Sequence, residues 1–204
     1  KKSKTYTAVD KINEAIVSLS EKYKNEKFFS TSFPPLTSIN DNSFDTLVSF
    51  QVIEHIQDDD LFISEIYRVL RPGGIALLTT PNIKMTLTRN PWHIREYTSS
   101  ELVDLASKHF DKIDIKGVSG NKKVQQYYID NLKSVQKFKK LDIFNLEQNL
   151  PNFLYRIPYE ILNRFNRDSL KKNDSNLVSS ISSSDYKLLD DNPENLDLFL
   201  ILNK

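Results

Sequence analysis

The sequence predicts an α/β domain built on a doubly wound, mostly parallel sheet, with a helical insertion ahead of the last strand. Three observations predict it. Strand-like and helix-like segments alternate from Thr5 to Val118. Within them, Ile75 to Thr80 (IALLTT) is a near-continuous apolar run of strand length, the pattern of a central strand buried on both faces. A strand pattern then returns at Leu196 to Leu202 (LDLFLIL), after a long stretch of helical character.

Thr5 to Val9 is short and rich in Thr, Tyr and Val, and ends at Asp10; Ile12, Ile16, Val17 and Leu19 then recur at helical spacing as far as Tyr23. Lys27 to Thr31 is a second strand, followed by a loop through Pro34, Pro35 and the turn-forming residues Asn40 to Ser43. Phe44 to Phe50 is a third strand. After Asp58-Asp59-Asp60, good N-cap chemistry, Phe62, Ile63, Ile66, Val69 and Leu70 line one face of a helix. Arg71-Pro72-Gly73-Gly74 stops that helix, because proline cannot continue it and glycine tolerates the left-handed turn out of it. Thr98 and Glu101 have capping-box spacing ahead of Leu102, Val103, Leu105, Ala106 and Phe110, and Ile113, Ile115 and Val118 form the next strand. From Asn121 to Asn195 the chain reads as helices around Tyr127 to Phe138 and Tyr159 to Phe165, broken by Pro151 and Pro158, then a Ser-rich passage. Residues 1–120 and 196–204 are thus expected to form the core, and 121–195 an insertion or lid.

Composition narrows the chemistry. The 204 residues carry 28 basic and 27 acidic side chains, with 39% hydrophobic residues, a balance that suggests neither disorder nor a polyelectrolyte partner. The basic residues Lys137, Lys139, Lys140, Arg164, Arg167, Lys171 and Lys172 are offset by Asp142, Glu147, Glu160 and Asp168, so a solvated helix face is expected rather than a nucleic-acid surface. No apolar run reaches the roughly 20 residues of a membrane span, and no leader pattern opens the chain, so a cytoplasmic setting without membrane insertion is expected. Without cysteine there is no disulfide, thiolate metal site or cysteine nucleophile, and His55, His93 and His109 are the only imidazoles. The four glycines, at 73, 74, 117 and 120, exclude a dinucleotide or P-loop glycine motif and a nucleophile elbow. The single methionine is Met85, so Lys1 is not the encoded start and upstream residues are expected.

Taken together, FDTLVSFQVIEHI (Phe44 to Ile56), EIYRVLRPGG (Glu65 to Gly74) and IALLTTPN (Ile75 to Asn82) resemble the middle of a class I S-adenosylmethionine-dependent methyltransferase with a Rossmann-like fold. The resemblance is to the broad methyltransferase type 11 group that includes the quinone-biosynthesis enzymes, and it covers Thr5 to about Val118. In that family a first strand and a glycine-rich cofactor loop precede the part present here. The resemblance implies S-adenosylmethionine as cofactor, and it places Asp10, at the end of a strand, on the ribose hydroxyls and Phe50 and Gln51 near the methionine part. A carboxylate at a strand's carboxyl end suits vicinal hydroxyls, and Asp10 is equally suited to cap the following helix. Phe33 stands where the family often has an acidic residue near the adenine and could at most stack on the ring; Phe50 could instead pack in the core.

His55, with Glu54 beside it, follows the strand at the crevice mouth, where an imidazole of ordinary pKa about 6.5 can take a hydroxyl proton; local packing is its alternative. Some relatives with E-x-x-E-H here bind a divalent metal, but Gln51 replaces the first carboxylate, so no metal is expected. The N-methyltransferase Pro-Pro-aromatic motif does not follow the strand. Trp92, His93, Arg95 and Tyr97 lie in the loop after Ile75 to Thr80 and could shape an acceptor pocket, with Trp92 equally readable as an apolar anchor. The expected function is methyl transfer to a small-molecule or glycan-like acceptor, with O-methylation favoured; the alternative is a catalytically inactive methyltransferase-like binding or assembly module.

Overall fold

Thr7–Asp10 (β1) and Lys27–Ser30 (β2) pair in parallel, Thr7 opposite Lys27 and Asp10 opposite Ser30, and the helix Asn13–Lys22 (α1) joins them. This βαβ unit follows from the switch between strand and helix patterning at Asp10, whose Oδ1 accepts the Ile12 amide at 2.8 Å. The computed structural model describes residues 5–141, 146–173 and 175–204.

The remaining strands form a second, five-stranded sheet. Phe44–Phe50 (β3) runs parallel to Leu70–Pro81 (β4), and Asp59–Val69 (α2) connects them. The Asp58 side chain caps α2 by accepting the Leu61 amide at 2.9 Å. The register slips between Phe44 and Thr46, where Arg71 to Gly74 bulge outward; Gly73 adopts φ 79°, a left-handed backbone that suits glycine. Ser99–Ser107 (α3) begins with the Thr98–Glu101 capping box and leads to Lys112–Gly120 (β5). Asp197–Asn203 (β7) lies antiparallel between β4 and β5, and Tyr186–Asp190 (β6) pairs antiparallel with the outer edge of β5. The order is β3-β4-β7-β5-β6, with three strands running one way and two the other.

One face of this sheet is buried. Ala76 and Leu78 of β4 and Leu198, Leu200 and Leu202 of β7 pack against Phe62, Ile63 and Ile66 of α2 and Leu102, Leu105 and Ala106 of α3. Each buried Leu, Ile or Phe side chain among them contributes about 1.5–3 kcal/mol. The IALLTT strand, expected to be covered on both faces, is fully covered on one: Ile75 is 38% exposed, and Val48 and Phe50 of β3 are more than half exposed. The loop before β3 is tied to α2 by Glu65, which accepts the Leu36 amide at 2.6 Å and the Arg68 guanidinium at 2.6 Å. Chiefly through the Arg68 hydrogen bond, Glu65 is held below the usual carboxylate range.

After β5 come Lys122–Leu141 (α4), Leu146–Asn149 (α5), Asn152–Asn173 (α6) and Ser175–Ser180 (α7). Two expectations need correction here. Pro158 does not break a helix but lies inside α6. The carbonyl of Leu154, which loses its partner to the proline, belongs to an exposed residue, while Tyr155 and Asn166 hold the opposite face, Asn166 donating to Asn131 of α4 at 2.6 Å. The segment expected as a helical insertion also contains a strand, β6, after its Ser-rich passage. Asp185 ties β6 to the start of α4: its carboxylate accepts from Asn121 at 2.7 Å and the Ser182 amide at 2.8 Å, and pairs with Lys123 at 3.2 Å.

Candidate active site

The sequence turns abruptly at the end of β3. Gln51 takes φ 55°, in the left-handed region, while its amide donates to the Thr79 carbonyl at 2.9 Å. This reverses the chain into a single 3-10 turn, Ile53–His55, beside the carboxyl end of β4.

Glu54 is buried. Its Oε2 accepts the Thr80 hydroxyl at 3.0 Å, and its main-chain carbonyl accepts the amides of Ile94 at 2.7 Å and Arg95 at 3.3 Å. The loop after β3 is thereby fastened to the loop after β4. His55 is more open, with Nδ1 2.9 Å from the Trp92 carbonyl; that oxygen can only accept, so Nδ1 carries the proton and Nε2 keeps its lone pair. Glu54 Oε1 lies 3.8 Å from this Nε2.

His55 meets His93 edge to face, with ring centroids 4.9 Å apart. His93 Nδ1 lies 2.6 Å from Glu96 Oε1, and its Nε2 lies 2.8 Å from the Asn90 amide nitrogen. Thr86 donates to the other Glu96 oxygen. Burial pushes the Glu96 carboxyl up, but the hydrogen bonds from His93 and Thr86 outweigh it and hold the group below its ordinary value. Glu96 was not among the residues expected from the sequence; its spacing of three from His93 was the available signal. Asp197, at the start of β7, is also new. Burial raises its carboxyl, a hydrogen bond with Gln51 opposes that, and the negative charge of Glu54 reinforces it.

His93, Glu96 and Arg95 line a cleft of about 410 Å³ together with Thr86 to Asn90. The far wall is Lys139, Glu147 and Asn152, so the segment after β5 closes one side. Arg89 pins that wall: its amide donates to Glu147 at 2.7 Å, its guanidinium donates to the Leu150 carbonyl at 2.8 Å, and it lies over the Tyr155 ring. Trp92 is half-exposed beneath the Arg156 guanidinium, 3.9 Å from the ring centroid.

Not every expected residue reaches the cleft: of those named from the sequence, His93 and Arg95 line it, whereas Glu54, His55 and Trp92 stand outside its lining. Tyr97 is fully buried in the core, and its hydroxyl donates to Asp59 at 2.9 Å; burial and that carboxylate raise its pKa well above the ordinary value. Arg95 binds the same Asp59 at 3.0 Å. Phe33 lies against Phe62, with centroids 4.7 Å apart, and Phe50 is half-exposed near Phe199. Asp10, at the carboxyl end of β1, has Oδ2 without a hydrogen bond among the described residues. Taken one by one, Asp10 has a carboxylate oxygen able to accept hydroxyls, Phe50 an open aromatic ring and Gln51 a sharply turned backbone, each a feature that a nucleoside cofactor can use. Asp142 and the side chains of Arg167, Lys171 and Lys172 lie outside the described residues. Glu54, His55 and His93 bring possible ligand atoms within 4.8 Å of one another. None of the described helices is long and apolar enough to cross a membrane.

Residues 1–78 match the family described as Methyltransferase domain. A probable S-adenosylmethionine-dependent methyltransferase of Mycolicibacterium smegmatis is 45% identical over 85 residues, covering 38% of this chain and 33% of the relative. The mitochondrial ubiquinone biosynthesis O-methyltransferase of Rattus norvegicus is 40% identical over 47 residues, covering 22% of this chain and 14% of the relative. The chain thus spans about a third or less of the length of these relatives. Among solved structures, a possible histamine N-methyltransferase of Thermotoga maritima superposes with a TM-score of 0.55 at 15% identity, over 97% of this chain and 72% of that one, which speaks for the fold.

Proposed function

Because the chain belongs to the class I S-adenosylmethionine-dependent methyltransferase family, we propose that the protein transfers a methyl group from S-adenosylmethionine to a hydroxyl of a small-molecule or glycan-like acceptor, in a cytoplasmic setting. The observation that carries this reading is the His55 imidazole resting on the His93–Glu96 pair at the wall of the cleft.

When bound, S-adenosylmethionine supplies a methyl group on a sulfonium, open to in-line displacement. Asp10 would hold the ribose hydroxyls through its free oxygen, with Phe50 and Gln51 beside the methionine portion. At the cleft, the chain has to orient an acceptor, keep water away and take up one proton. His55 does the last: the Trp92 carbonyl fixes its tautomer, so Nε2 can receive the acceptor's hydroxyl proton, while buried Glu54, 3.8 Å away, offsets the developing imidazolium charge. His93, held by Glu96, is the wall against which His55 stands. Trp92 and Arg95 complete the acceptor side, and the residues 121–195 serve as its lid, as the contacts of Arg89 with Glu147 and Leu150 support. The 40% identity with the rat O-methyltransferase, over a short stretch, favours oxygen as the methylated atom.

The test is calorimetric titration of S-adenosylhomocysteine into the full-length protein, followed by turnover with candidate phenols and sugars. Binding that Asp10→Ala weakens about tenfold or more is the expected outcome. A folded full-length protein that binds no S-adenosylhomocysteine would instead be a methyltransferase-like binding or assembly module.

A further inference from the structure

Arg156, on α6, is a half-buried cation without a counter-charge. It makes no ion pair or hydrogen bond among the described residues, and its Nε is buried without an acceptor. What it has instead is an indole face: the guanidinium carbon lies 3.9 Å from the centroid of the Trp92 ring. The quadrupole of an aromatic ring attracts a cation on its face, most strongly for tryptophan and where water is partly excluded. The contact therefore ties α6 to the loop after β4.

Trp92 carries that tie towards His55. Its amide donates to Asn90 Oδ1 at 3.0 Å, and its carbonyl accepts the His55 Nδ1 proton at 2.9 Å. Other contacts fasten the loop on either side. Arg89 bonds Glu147 and Leu150, and Thr88 lies 3.4 Å from the Tyr155 hydroxyl, all ahead of the turn at residues 90–93; after it, the Ile94 and Arg95 amides are held by the Glu54 carbonyl. Within the turn, the half-exposed Trp92 side chain is the part that α6 touches, through Arg156. A neutral imidazole can carry its proton on either nitrogen, so a single well-placed carbonyl decides which.

We propose that Arg156 is a positioning residue for His55, a role that presupposes His55 as the proton acceptor in methyl transfer. By resting on the Trp92 indole, Arg156 holds the Trp92 carbonyl where it captures the Nδ1 proton and leaves the Nε2 lone pair open. With α6 lifted away, Trp92 loses its partner, the proton can move to Nε2, and that nitrogen can no longer receive one from an acceptor. The segment 121–195 thereby gains a second task besides covering the acceptor: its closure makes the base competent.

The experiment is long-range 1H–15N correlation NMR on the full-length protein labelled in histidine, at about pH 8.5, where imidazoles are neutral. A His55→Gln variant assigns the His55 signals, and the amide spectrum reports on the fold. In the wild type the Nδ1-protonated form of His55 should exceed the Nε2-protonated form by at least about tenfold. Arg156→Met, which removes the cation and keeps an unbranched side chain, should bring the two forms within about threefold of each other, and Arg156→Lys should lie between. Calorimetry with S-adenosylhomocysteine should give the same affinity for the wild type and both Arg156 variants. A wild type that binds none would sink the methyltransferase reading, while the tautomer ratios would still report on Arg156. The positioning role is overturned by a wild-type ratio in folded Arg156→Met, by a lysine variant no different from the methionine one, or by a wild type in which His55 is mainly Nε2-protonated.

Discussion

His93 Nδ1 and Glu96 Oε1 stand 2.6 Å apart on the wall of the cleft, both side chains largely buried, and the His93 ring meets His55 edge to face. A carboxylate held this way fixes the orientation of an imidazole and, through it, of whatever packs on the ring. Glu96→Gln should therefore lower kcat about tenfold with little change in S-adenosylhomocysteine affinity, and His55→Ala should lower it by about 10²-fold. Steady-state kinetics beside calorimetry check both; a Glu96→Gln enzyme of normal kcat would make the pair merely structural.

The lone pair on His93 Nε2 is already engaged by the Asn90 amide at 2.8 Å. A cation shared with Glu54 and His55 would have to displace that bond. Turnover is therefore expected to survive dialysis against a chelator; a tenfold loss that zinc or magnesium restores would show the three residues to be ligands.

Asp185 predicts a pH dependence. Its carboxyl is held at about 2, chiefly by the Ser182 amide, with Lys123 and Asn121 adding to the effect. The unfolded value is about 3.9, so this group's contribution to stability is complete above about pH 4 and disappears as pH falls towards 2. Asp185→Asn should flatten the acid limb of stability measured by denaturant titration between about pH 4 and 2. An unchanged slope would mean that the β6–α4 junction does not take part in acid unfolding.

Gly117 lies where β5 passes the buried Asn195, and any Cβ there would overlap that side chain. Asn195 donates to the Asp190 carbonyl at 3.0 Å, holding the turn after β6. Gly117→Ala should destabilise the fold by about 1–3 kcal/mol, read as a lower denaturation midpoint.

Much of the fold is legible in the sequence where one physical signal dominates. The turn at Asn40 to Ser43 and the run FDTLVSF bound β3 correctly, and the Thr98–Glu101 box starts α3 where its chemistry says. Pro158 misleads because packing of Tyr155 and Asn166 outweighs a cost of roughly 3 kcal/mol for an interior proline. Strand β6 escapes notice because all five of its side chains are exposed and adjacent Leu188 and Leu189 destroy any alternation. The site divides in the same way. His55 and His93 are visible as rare residues in loops after strands, whereas the burial of Tyr97 and the pairing of Glu96 with His93 depend on how two distant loops pack.

One carbonyl serving two amides has an evolutionary corollary. Glu54's main-chain oxygen holds Ile94 and Arg95, so the loop after β3 and the loop after β4 share a single mooring. Changes of acceptor preference acquired in one loop should depend on the background present in the other. Libraries that randomise residues 51–56 and 90–97 together should then reach variants that stepwise substitution misses, and double-mutant cycles across the pair should be non-additive.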